Sequence, residues 1–333
     1  MVGLFGVRFG QWGLGPAGIG VLLLLPVCAA ADYLRPGQAG FHHCALIYER
    51  TQRTADDLLC YVARVRQGKP VEWLFDSLLF LRFSMPSGVR TDEGPMTQAD
   101  WQRHLDDWFS PGRDLSALDE AVERASAVLG KPPAPRTVML SIPYPNPRVH
   151  GFRLPDGSAV HLGTEEGLER AARWYVQEAA RRFQRANYRH LRLWGFYWMR
   201  EEISPPDEPR TRTVARVIHE AGFRFSWIPW WRAAGWDRWR ECGIDAAVMQ
   251  PNYAFVSWTH AGSVRRNRLA AAADLCRAKG LGVEIEAGDV VHSTADREAF
   301  LHYLADGAPD RLGYRDAACA YYLGSDVVET TAR

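Results

Sequence analysis

The sequence carries almost no net charge, few cysteines and no apolar run long enough to cross a membrane. Its 40 basic and 39 acidic residues leave a formal charge of +1, which excludes the electrostatic footprint of a protein that binds nucleic acid or an anionic membrane. Its six cysteines have no CxxC spacing and no neighbouring histidines, which argues against a zinc site. We therefore expect a neutral or weakly charged ligand and no cofactor.

Common signatures of other chemistries are also absent. Tyr48-Glu49-Arg50 follows the first apolar run, where a dinucleotide-binding turn would need GxGxxG. No GxSxG turn occurs, which counts against an α/β-hydrolase triad, and no HxH or HExxH occurs. The adjacent His42 and His43 would face opposite sides of a strand, so metal catalysis is the weaker prediction.

Residues 1–31 have the order of a secretory signal peptide: Arg8, then the apolar core Ile19–Val27, then small residues. This core is too short to span a bilayer, so we expect cleavage after Ala31 and a secreted or periplasmic protein. A lipoprotein modified at Cys28 and an uncleaved membrane anchor are the alternatives.

The remaining chain, 32–333, alternates apolar, β-branched or aromatic runs with longer stretches of helical period. Eight runs predict strands: His43–Tyr48, Trp73–Phe83, Arg136–Ile142, Leu191–Trp198, Arg224–Pro229, Asp245–Met249, Gly282–Glu286 and Ala317–Leu323. The stretches between them predict helices: Asp56–Val65, Leu115–Leu129, Glu165–Ala186, Thr211–Ala221, Arg265–Ala278 and Asp296–Leu304. Eight such units predict the α/β class and a single-domain (β/α)8 TIM barrel, with an open doubly wound sheet as the alternative.

Two stretches are too long for ordinary connections between strands and helices. They are Met85–Gly112 and the proline-rich Pro143–Gly163, and neither is low enough in complexity to be a domain linker. Since barrel active sites are built from the loops at the carboxyl ends of the strands, we interpret both stretches as functional loops at the barrel mouth.

Three acidic residues lie in or just after apolar strands, where a charge is costly to bury. Glu201 follows the fourth predicted strand, and Glu284 and Glu286 lie in the seventh. Both residues of the seventh strand should face inward, since the outer face of a barrel meets helices, and Glu286 lies nearer the carboxyl end. The alternatives are a turn cap or a pair with Arg200 for Glu201, and an interior pair with Arg192 for the other two.

Two carboxyls at the rim of one barrel suit the cleavage of a glycosidic bond. One donates a proton to the leaving oxygen while the other attacks the anomeric carbon or activates water. Mutual repulsion and partial burial hold one of them protonated near neutral pH. We therefore predict Glu201 as the general acid/base, Glu286 as the nucleophile or base, and Glu284 as its inner support.

Tryptophans are concentrated in one part of the chain, with eight of the 13 between Trp194 and Trp258. Flat aromatic faces bury the apolar face of a pyranose ring, which favours a sugar ligand. Trp198, Trp230 and Trp231 are the candidate platforms. The alternative for each is packing between barrel and helices.

Polar and phenolic side chains near strand exits can read the orientation of sugar hydroxyls or steady a carboxylate. The further candidates for substrate contact are Asp76, Tyr144, Tyr197, Gln250, Asn252 and Tyr253. Asp76 lies within the second apolar run, and a structural hydrogen bond explains it equally well. Turn chemistry is the equal alternative for Asn252 and Tyr253.

Four ordered motifs carry a family resemblance: Gly195-Phe196-Tyr197-Trp198 followed by Glu201, then Trp227-Ile228-Pro229-Trp230, Gln250-Pro251-Asn252-Tyr253 and Gly282-Val283-Glu284-Ile285-Glu286. Together they resemble a bacterial family of exported proteins described as a domain of unknown function, whose members look like (β/α)8 glycoside hydrolases. The resemblance covers about Cys44 to Tyr322 and implies no particular substrate.

The chain is also loosely similar to the large superfamily of retaining glycosidases. That similarity implies an acid/base at Glu201, a nucleophile at Glu286 and a retaining mechanism. Two positions depart from the superfamily: Arg200 stands where an asparagine is usual, and Tyr321-Tyr322 replace a tryptophan common on the eighth strand.

These inferences lead us to expect an exported barrel that hydrolyses glycosidic bonds in a poly- or oligosaccharide. The alternatives are a carbohydrate-binding barrel without catalysis and, more weakly, a metal-dependent hydrolase or deacetylase. The sequence leaves open the sugar and its linkage, endo or exo action, oligomeric state and any pairing of the cysteines.

Overall fold

The computed structural model describes residues 32–48, 52–255 and 262–324, and the expected signal segment lies outside them. The described strands are β1 His43–Tyr48, β2 Ala63–Arg66, β3 Lys69–Trp73, β4 Ser77–Leu81, β5 Arg136–Ile142, β6 Phe152–Arg153, β7 Ala159–Val160, β8 Leu191–Trp198, β9 Arg224–Trp227, β10 Ala246–Met249, β11 Gly282–Glu286 and β12 Cys319–Tyr322. The described helices are α1 Pro36–Ala39, α2 Ala55–Val62, α3 Gln98–Trp108, α4 Asp114–Leu129, α5 Glu165–Ala186, α6 Glu208–Glu220, α7 Gly262–Lys279 and α8 Thr294–Asp306.

Eight of these strands close into a parallel barrel in the order β1-β12-β11-β10-β9-β8-β5-β4. The expected (β/α)8 barrel is therefore confirmed, with β8 and β11 as its fourth and seventh strands. Helices separate most barrel strands along the chain, but β9 and β10 are joined through a short 3-10 turn at Trp236–Arg238. No helix among the described residues combines the length and apolarity that a membrane crossing needs.

The barrel strands are apolar on both faces because one face fills the barrel and the other packs against helices. Every residue of β4, β5 and β11 is buried. This is why the apolar runs in the sequence predict β5, β8 and β11 with the bounds that the structure has.

Gly195 allows β8 to pass close to β9. The register between β8 and β5 shifts so that Trp194 is an extra residue in β8. A Cβ at Gly195, whose φ is 154°, would lie 1.9 Å from the carbonyl oxygen of Arg224 on β9. Glycine therefore permits the bulge that precedes Tyr197 and Glu201.

The second apolar run forms two elements, where the sequence predicts a single strand. Only Ser77–Leu81 joins the barrel, whereas Trp73 ends β3, which pairs with β2 in an antiparallel hairpin outside it. Asp76 lies between the two strands, and its carboxylate accepts the backbone N–H groups of His42 at 2.8 Å and His43 at 2.7 Å. An apolar composition does not distinguish a barrel strand from a hairpin strand.

The two long connections contain secondary structure that the loop interpretation misses. Met85–Gly112 includes α3, which begins with a capping box formed by Thr97 and Asp100. Pro143–Gly163 includes the two-stranded sheet of β6 and β7. Of these two connections, only Met85 and Pro86 contribute to the lining of the cavity at the barrel mouth that is described in the next subsection.

The cysteines of the described part are buried: Cys44, Cys60, Cys242, Cys276 and Cys319. Burial raises the pKa of Cys44 and of Cys319 to about 12, so both are neutral thiols near pH 7. They act as small apolar core residues.

Candidate active site

A cavity of about 740 Å³ opens at the carboxyl ends of the barrel strands, where barrel enzymes carry their active sites. Residues that follow β4, β8 and β10 form part of its wall, and the last residues of β1 and β12 and the middle of β11 form the rest. The lining residues are Tyr48, Arg82, Phe83, Ser84, Met85, Pro86, Glu201, Gln250, Asn252, Phe255, Glu284 and Tyr322.

Glu201 lies on the cavity wall just after β8 and is half-buried. Burial raises the pKa of its carboxyl, while a hydrogen bond from Gln250 and the positive charge of Arg90 act in the opposite direction. The indole N–H of Trp227 donates to the carbonyl oxygen of Arg200 at 2.7 Å, which fixes the backbone immediately before Glu201. A neighbouring strand therefore holds this carboxyl in place.

Glu284 lies in β11 and reaches the same cavity, although only 2% of it is exposed. Its Oε1 atom has no hydrogen-bond partner among the described residues. Burial raises the pKa of Glu284 well above its usual range, and the charges of Glu286 and Glu201 raise it further. Glu284 and Glu201 are thus two carboxyls that face one cavity.

Glu286 is fully buried and does not line the cavity. Its carboxylate accepts the backbone N–H groups of Asn252 at 2.9 Å and Ala254 at 3.4 Å, together with the hydroxyl of Tyr303 on α8. Burial raises its pKa to about 7, although these donors lower it. The structure thus reverses the expected order of Glu284 and Glu286, because the chain after β10 folds against the end of β11.

Four aromatic rings form a continuous wall of the cavity. Tyr48 stacks on Phe83 with ring centroids 5.6 Å apart, and it meets Tyr322 edge-on at 5.4 Å. Phe255 meets Tyr322 at 5.7 Å and is 56% exposed. β12, which ends in Tyr322, is four strands from β8 in a barrel of eight, so Tyr322 lies on the strand opposite the one that leads to Glu201.

The three tryptophans expected to be sugar platforms lie outside the cavity lining. Trp198 is fully buried and packs edge-on against Tyr144 and Phe225, so it is a core residue. Trp231 packs beneath guanidinium groups of neighbouring arginines. Trp230 is 37% exposed and pairs through its backbone with Gln250, which places it beside the cavity.

The other expected contact residues divide between the cavity and the core. Gln250 and Asn252 line the cavity. Tyr253 is buried, with its hydroxyl 2.7 Å from Nδ1 of His302, and Tyr144 is buried, with its hydroxyl donating to Asp207 at 2.7 Å. Sequence position at a strand exit therefore does not by itself bring a side chain to the cavity.

Tyr197 and Asp76 lie at different depths of the barrel. Tyr197 is buried within it, and burial followed by the charges of Glu201 and Glu284 raises its pKa well above the usual value. Asp76 precedes β4, at the amino end of the barrel and away from the cavity mouth, where its contacts to the backbone before β1 are structural.

Several cavity residues have no counterpart in the sequence-based predictions. Tyr48 and Tyr322 are the last residues of β1 and β12, and an aromatic residue at the carboxyl end of a barrel strand is the signal that finds them. Arg82 also lines the cavity, and its guanidinium pairs with Asp107 at 2.8 Å. Asp107 lies on α3, far from Arg82 in the sequence, so no local sequence pattern predicts that Arg82 reaches the cavity.

The fold and this site define a (β/α)8 barrel with two carboxyls and an aromatic wall at its mouth. The family model described as Domain of unknown function (DUF4855) matches residues 44–333, and the chain belongs to this family. No curated protein matches the sequence.

Solved structures with a similar fold have diverse activities. The xylanase and alpha-amylase inhibitor protein XAIP-II from Scadoxus multiflorus is 12% identical over 86% of this chain and 96% of that chain, with a TM-score of 0.44. The intracellular xylanase TsXylA from Thermoanaerobacterium saccharolyticum is 10% identical over 88% and 89%, with a TM-score of 0.44. Morphinone reductase is 10% identical over 84% and 82%, with a TM-score of 0.39. Similarities at this level of identity and TM-score assign no activity to this chain.

Proposed function

We propose that the protein hydrolyses O-glycosidic bonds in a poly- or oligosaccharide, with Glu201 and Glu284 as the reacting carboxyls. The observation that carries the proposal is that both side chains line one open cavity at the carboxyl ends of the barrel strands. Burial raises the pKa of each, so that one of them can hold a proton near neutral pH. Glu284 takes the place that the sequence gives to Glu286, whose oxygens are engaged away from the cavity.

The proposed reaction needs one protonated and one ionised carboxyl. The protonated group gives its proton to the glycosidic oxygen as the bond from that oxygen to the anomeric carbon breaks. In a retaining reaction the ionised group bonds to the anomeric carbon, and water then displaces it with transfer of a proton to the first group. The resemblance to retaining glycosidases favours this course, and the anomer of the first product observed by NMR would test it.

The cavity wall supports a saccharide as the ligand. The rings of Tyr48, Phe83, Phe255 and Tyr322 offer apolar faces of the kind on which pyranose rings stack. The amide of Gln250, the side chain of Asn252 and the carboxyls offer hydrogen bonds to hydroxyl groups. A volume of about 740 Å³ falls within the range of small-ligand sites.

We also propose export, with removal of residues 1–31. The support is the order of charge, apolar core and small residues in the sequence. Mass spectrometry of the protein recovered outside the cytoplasm would test it. A mature chain that begins at Asp32 is the expected result, and an intact amino terminus in the cytoplasmic fraction would contradict the proposal.

Conservative variants test the hydrolysis directly. Purified protein is screened against plant, bacterial and fungal polysaccharides for new reducing ends, and Glu201→Gln and Glu284→Gln are then compared with Glu202→Gln. Glu202 is the neighbour of Glu201, pairs with Arg200 at 3.7 Å and lies outside the cavity lining. We expect each cavity variant to lose about 10²- to 10⁴-fold in kcat while Glu202→Gln keeps its activity.

Two outcomes would overturn the hydrolase proposal. If no polysaccharide is cleaved and yet one raises the melting temperature, the protein is a non-catalytic carbohydrate-binding barrel. If cleavage occurs, survives in both cavity variants and is abolished by a chelator, a metal-dependent hydrolase or deacetylase explains the activity better.

A further inference from the structure

We propose that Glu286 is a positioning residue, whose negative charge behind the cavity keeps a shared proton on Glu284 and so makes Glu284 the proton donor of the site. The inference rests on the proposed hydrolysis. It makes Glu284 on β11 the proton donor, whereas the resemblance to retaining glycosidases implies that Glu201, after β8, is the proton donor.

Hydrogen-bond donors around Glu286 favour its ionised form and act against the burial that raises its pKa. Its carboxylate accepts N–H groups of Asn252 and Ala254 in the segment after β10, and it accepts the hydroxyl of Tyr303 from α8. The carbonyl oxygen of Tyr303 in turn accepts the hydroxyl of Tyr314 at 2.6 Å. Donors that converge on a buried carboxylate favour its charged form over the protonated form.

The surroundings of Glu284 favour its protonated form. It is as deeply buried as Glu286, yet its Oε1 atom has no hydrogen-bond partner among the described residues. The two residues are two positions apart on one face of β11, so their Cα atoms are separated by roughly 7 Å. Ionising both would place two like charges in one buried site, so one proton is retained, and it belongs on Glu284, for which no donor among the described residues stabilises the charge.

The other titratable groups near Glu284 and Glu286 do not change which of the two keeps the proton. Tyr48 and Cys44 approach Glu284 from β1, Tyr197 approaches from β8, and Glu201 faces it in the cavity. The cation on the cavity wall, Arg82, is bound by Asp107 at 2.8 Å. Burial raises the pKa of these phenols and of the thiol, so they are neutral near pH 7.

Glu201 has the complementary environment. Burial raises the pKa of Glu201, but Gln250 donates a hydrogen bond to its Oε1, which acts against burial and favours the ionised form. A carboxylate that receives a hydrogen bond at the rim of the cavity suits the ionised partner, which attacks the anomeric carbon or activates water. Under this assignment Glu284 protonates the leaving oxygen, and Glu286 is the member of the β11 pair that gives up its proton first.

NMR titration of the glutamate carboxyl carbons tests the inference without any substrate. The protein is labelled with ¹³C at these carbons, and the resonances are assigned by their loss in Glu284→Gln and Glu286→Gln. As the pH rises, we expect Glu286 to lose its proton before Glu284. In Glu286→Gln the midpoint for Glu284 should fall, because the neighbouring negative charge is gone.

Two tyrosine variants test the inference independently, in case Glu286→Gln does not fold. Tyr303→Phe removes one donor and should raise the midpoint of Glu286. Tyr175→Phe is the matched control, since Tyr175 is equally buried and donates to the backbone oxygen of Ser141 at 2.9 Å, away from the cavity. The control should leave both midpoints unchanged.

The titration tests the role of Glu286, and the activity assay tests the hydrolysis, so either proposal can be wrong without the other. Loss of the Glu284 proton before that of Glu286, or a Glu284 midpoint unchanged in Glu286→Gln, would overturn the inference even if the protein cleaves saccharides. The expected titration in a protein that cleaves none would overturn only the proposed hydrolysis. Where cleavage is found, Glu286→Gln should move the alkaline limb of the pH profile of kcat to lower pH, since the donor then loses its proton earlier.

Discussion

The side-chain amide of Gln250 donates a hydrogen bond to Oε1 of Glu201 across 3.2 Å. The bond joins the exits of β10 and β8, which are not neighbours in the barrel because β9 lies between them. The same amide nitrogen lies 3.4 Å from the carbonyl oxygen of Ile228, just after β9. One side chain therefore ties three strand exits together at the cavity.

Loss of this amide should impair Glu201 in the proposed reaction. We expect Gln250→Ala to lower kcat/KM about 10- to 100-fold, the usual effect of removing a hydrogen bond to a charged group. Gln102→Ala is the control, because Gln102 donates to Asp106 at 2.9 Å on the exposed face of α3. Equal rates for the two variants on the best polysaccharide would contradict the role of Gln250.

The aromatic wall should contribute to binding more than to stability. Phe255→Ala removes an exposed ring from the cavity and should raise KM about tenfold, with little change in melting temperature. Leu301→Ala removes a comparably exposed apolar side chain, 54% accessible on α8, and should leave KM unchanged. Steady-state kinetics and a thermal melt of each variant measure the two effects, and an unchanged KM in Phe255→Ala would exclude stacking at this ring.

Gly195 should tolerate no side chain. In Gly195→Ala the added Cβ would meet the Arg224 carbonyl oxygen at 1.9 Å, so we expect a loss of about 3 kcal/mol in the free energy of unfolding. Gly151→Ala is the control, since no atom lies within 4 Å of its added Cβ. Urea unfolding measures both, and similar midpoints for the two variants would show that β8 and β9 can separate without cost.

The stability of the protein should depend on the ionisation of Glu286. Its pKa rises on folding from 4.5 to about 7, so Glu286 binds a proton more readily in the folded protein than in the unfolded chain. The contribution of this group is fully present below pH 4.5 and is lost as the pH rises to 7. Burial also raises the pKa of Asp114 to about 6, so its contribution to the free energy of unfolding likewise decreases as the pH rises.

Replacement of Glu286 should therefore flatten part of this pH dependence. We expect the free energy of unfolding of Glu286→Gln to vary less between pH 4.5 and 7 than that of the unmodified protein, while the part due to Asp114 remains. Glu202→Gln should follow the unmodified protein. A Glu286→Gln variant with an unaltered pH dependence would show that Glu286 does not titrate in this range.

The fold was accessible from the sequence because buried parallel strands leave continuous apolar runs. The bounds of β5, β8 and β11 follow directly from such runs, as does α5 from its helical period. α3 was missed, although Thr97 and Asp100 stand at the spacing of a capping box, because the surrounding stretch is polar and proline-flanked. The sequence does not predict the hairpin of β2 and β3, because local composition does not indicate which strands pair.

The site was accessible only in part. Alternation brings Glu284 and Glu286 to one face, but the segment after β10 decides which of them reaches the cavity, and no pattern in the sequence describes its path. The density of tryptophans suggested Trp198 as a platform, whereas the structure buries it against Tyr144. Tyr48 and Tyr322 supply the aromatic wall instead, through positions that only closure of the barrel makes adjacent.

The closure of the barrel joins β1 to β12, and a thiol lies on each side of that seam. His43 pairs with Cys319 and Cys44 pairs with Ala320. Both cysteines are buried where the first and last strands of the barrel meet. An alkylating reagent can reach them only when the strands part. The rate at which it modifies Cys44 and Cys319 would therefore report how often the seam opens, which makes these two residues natural probes of local unfolding.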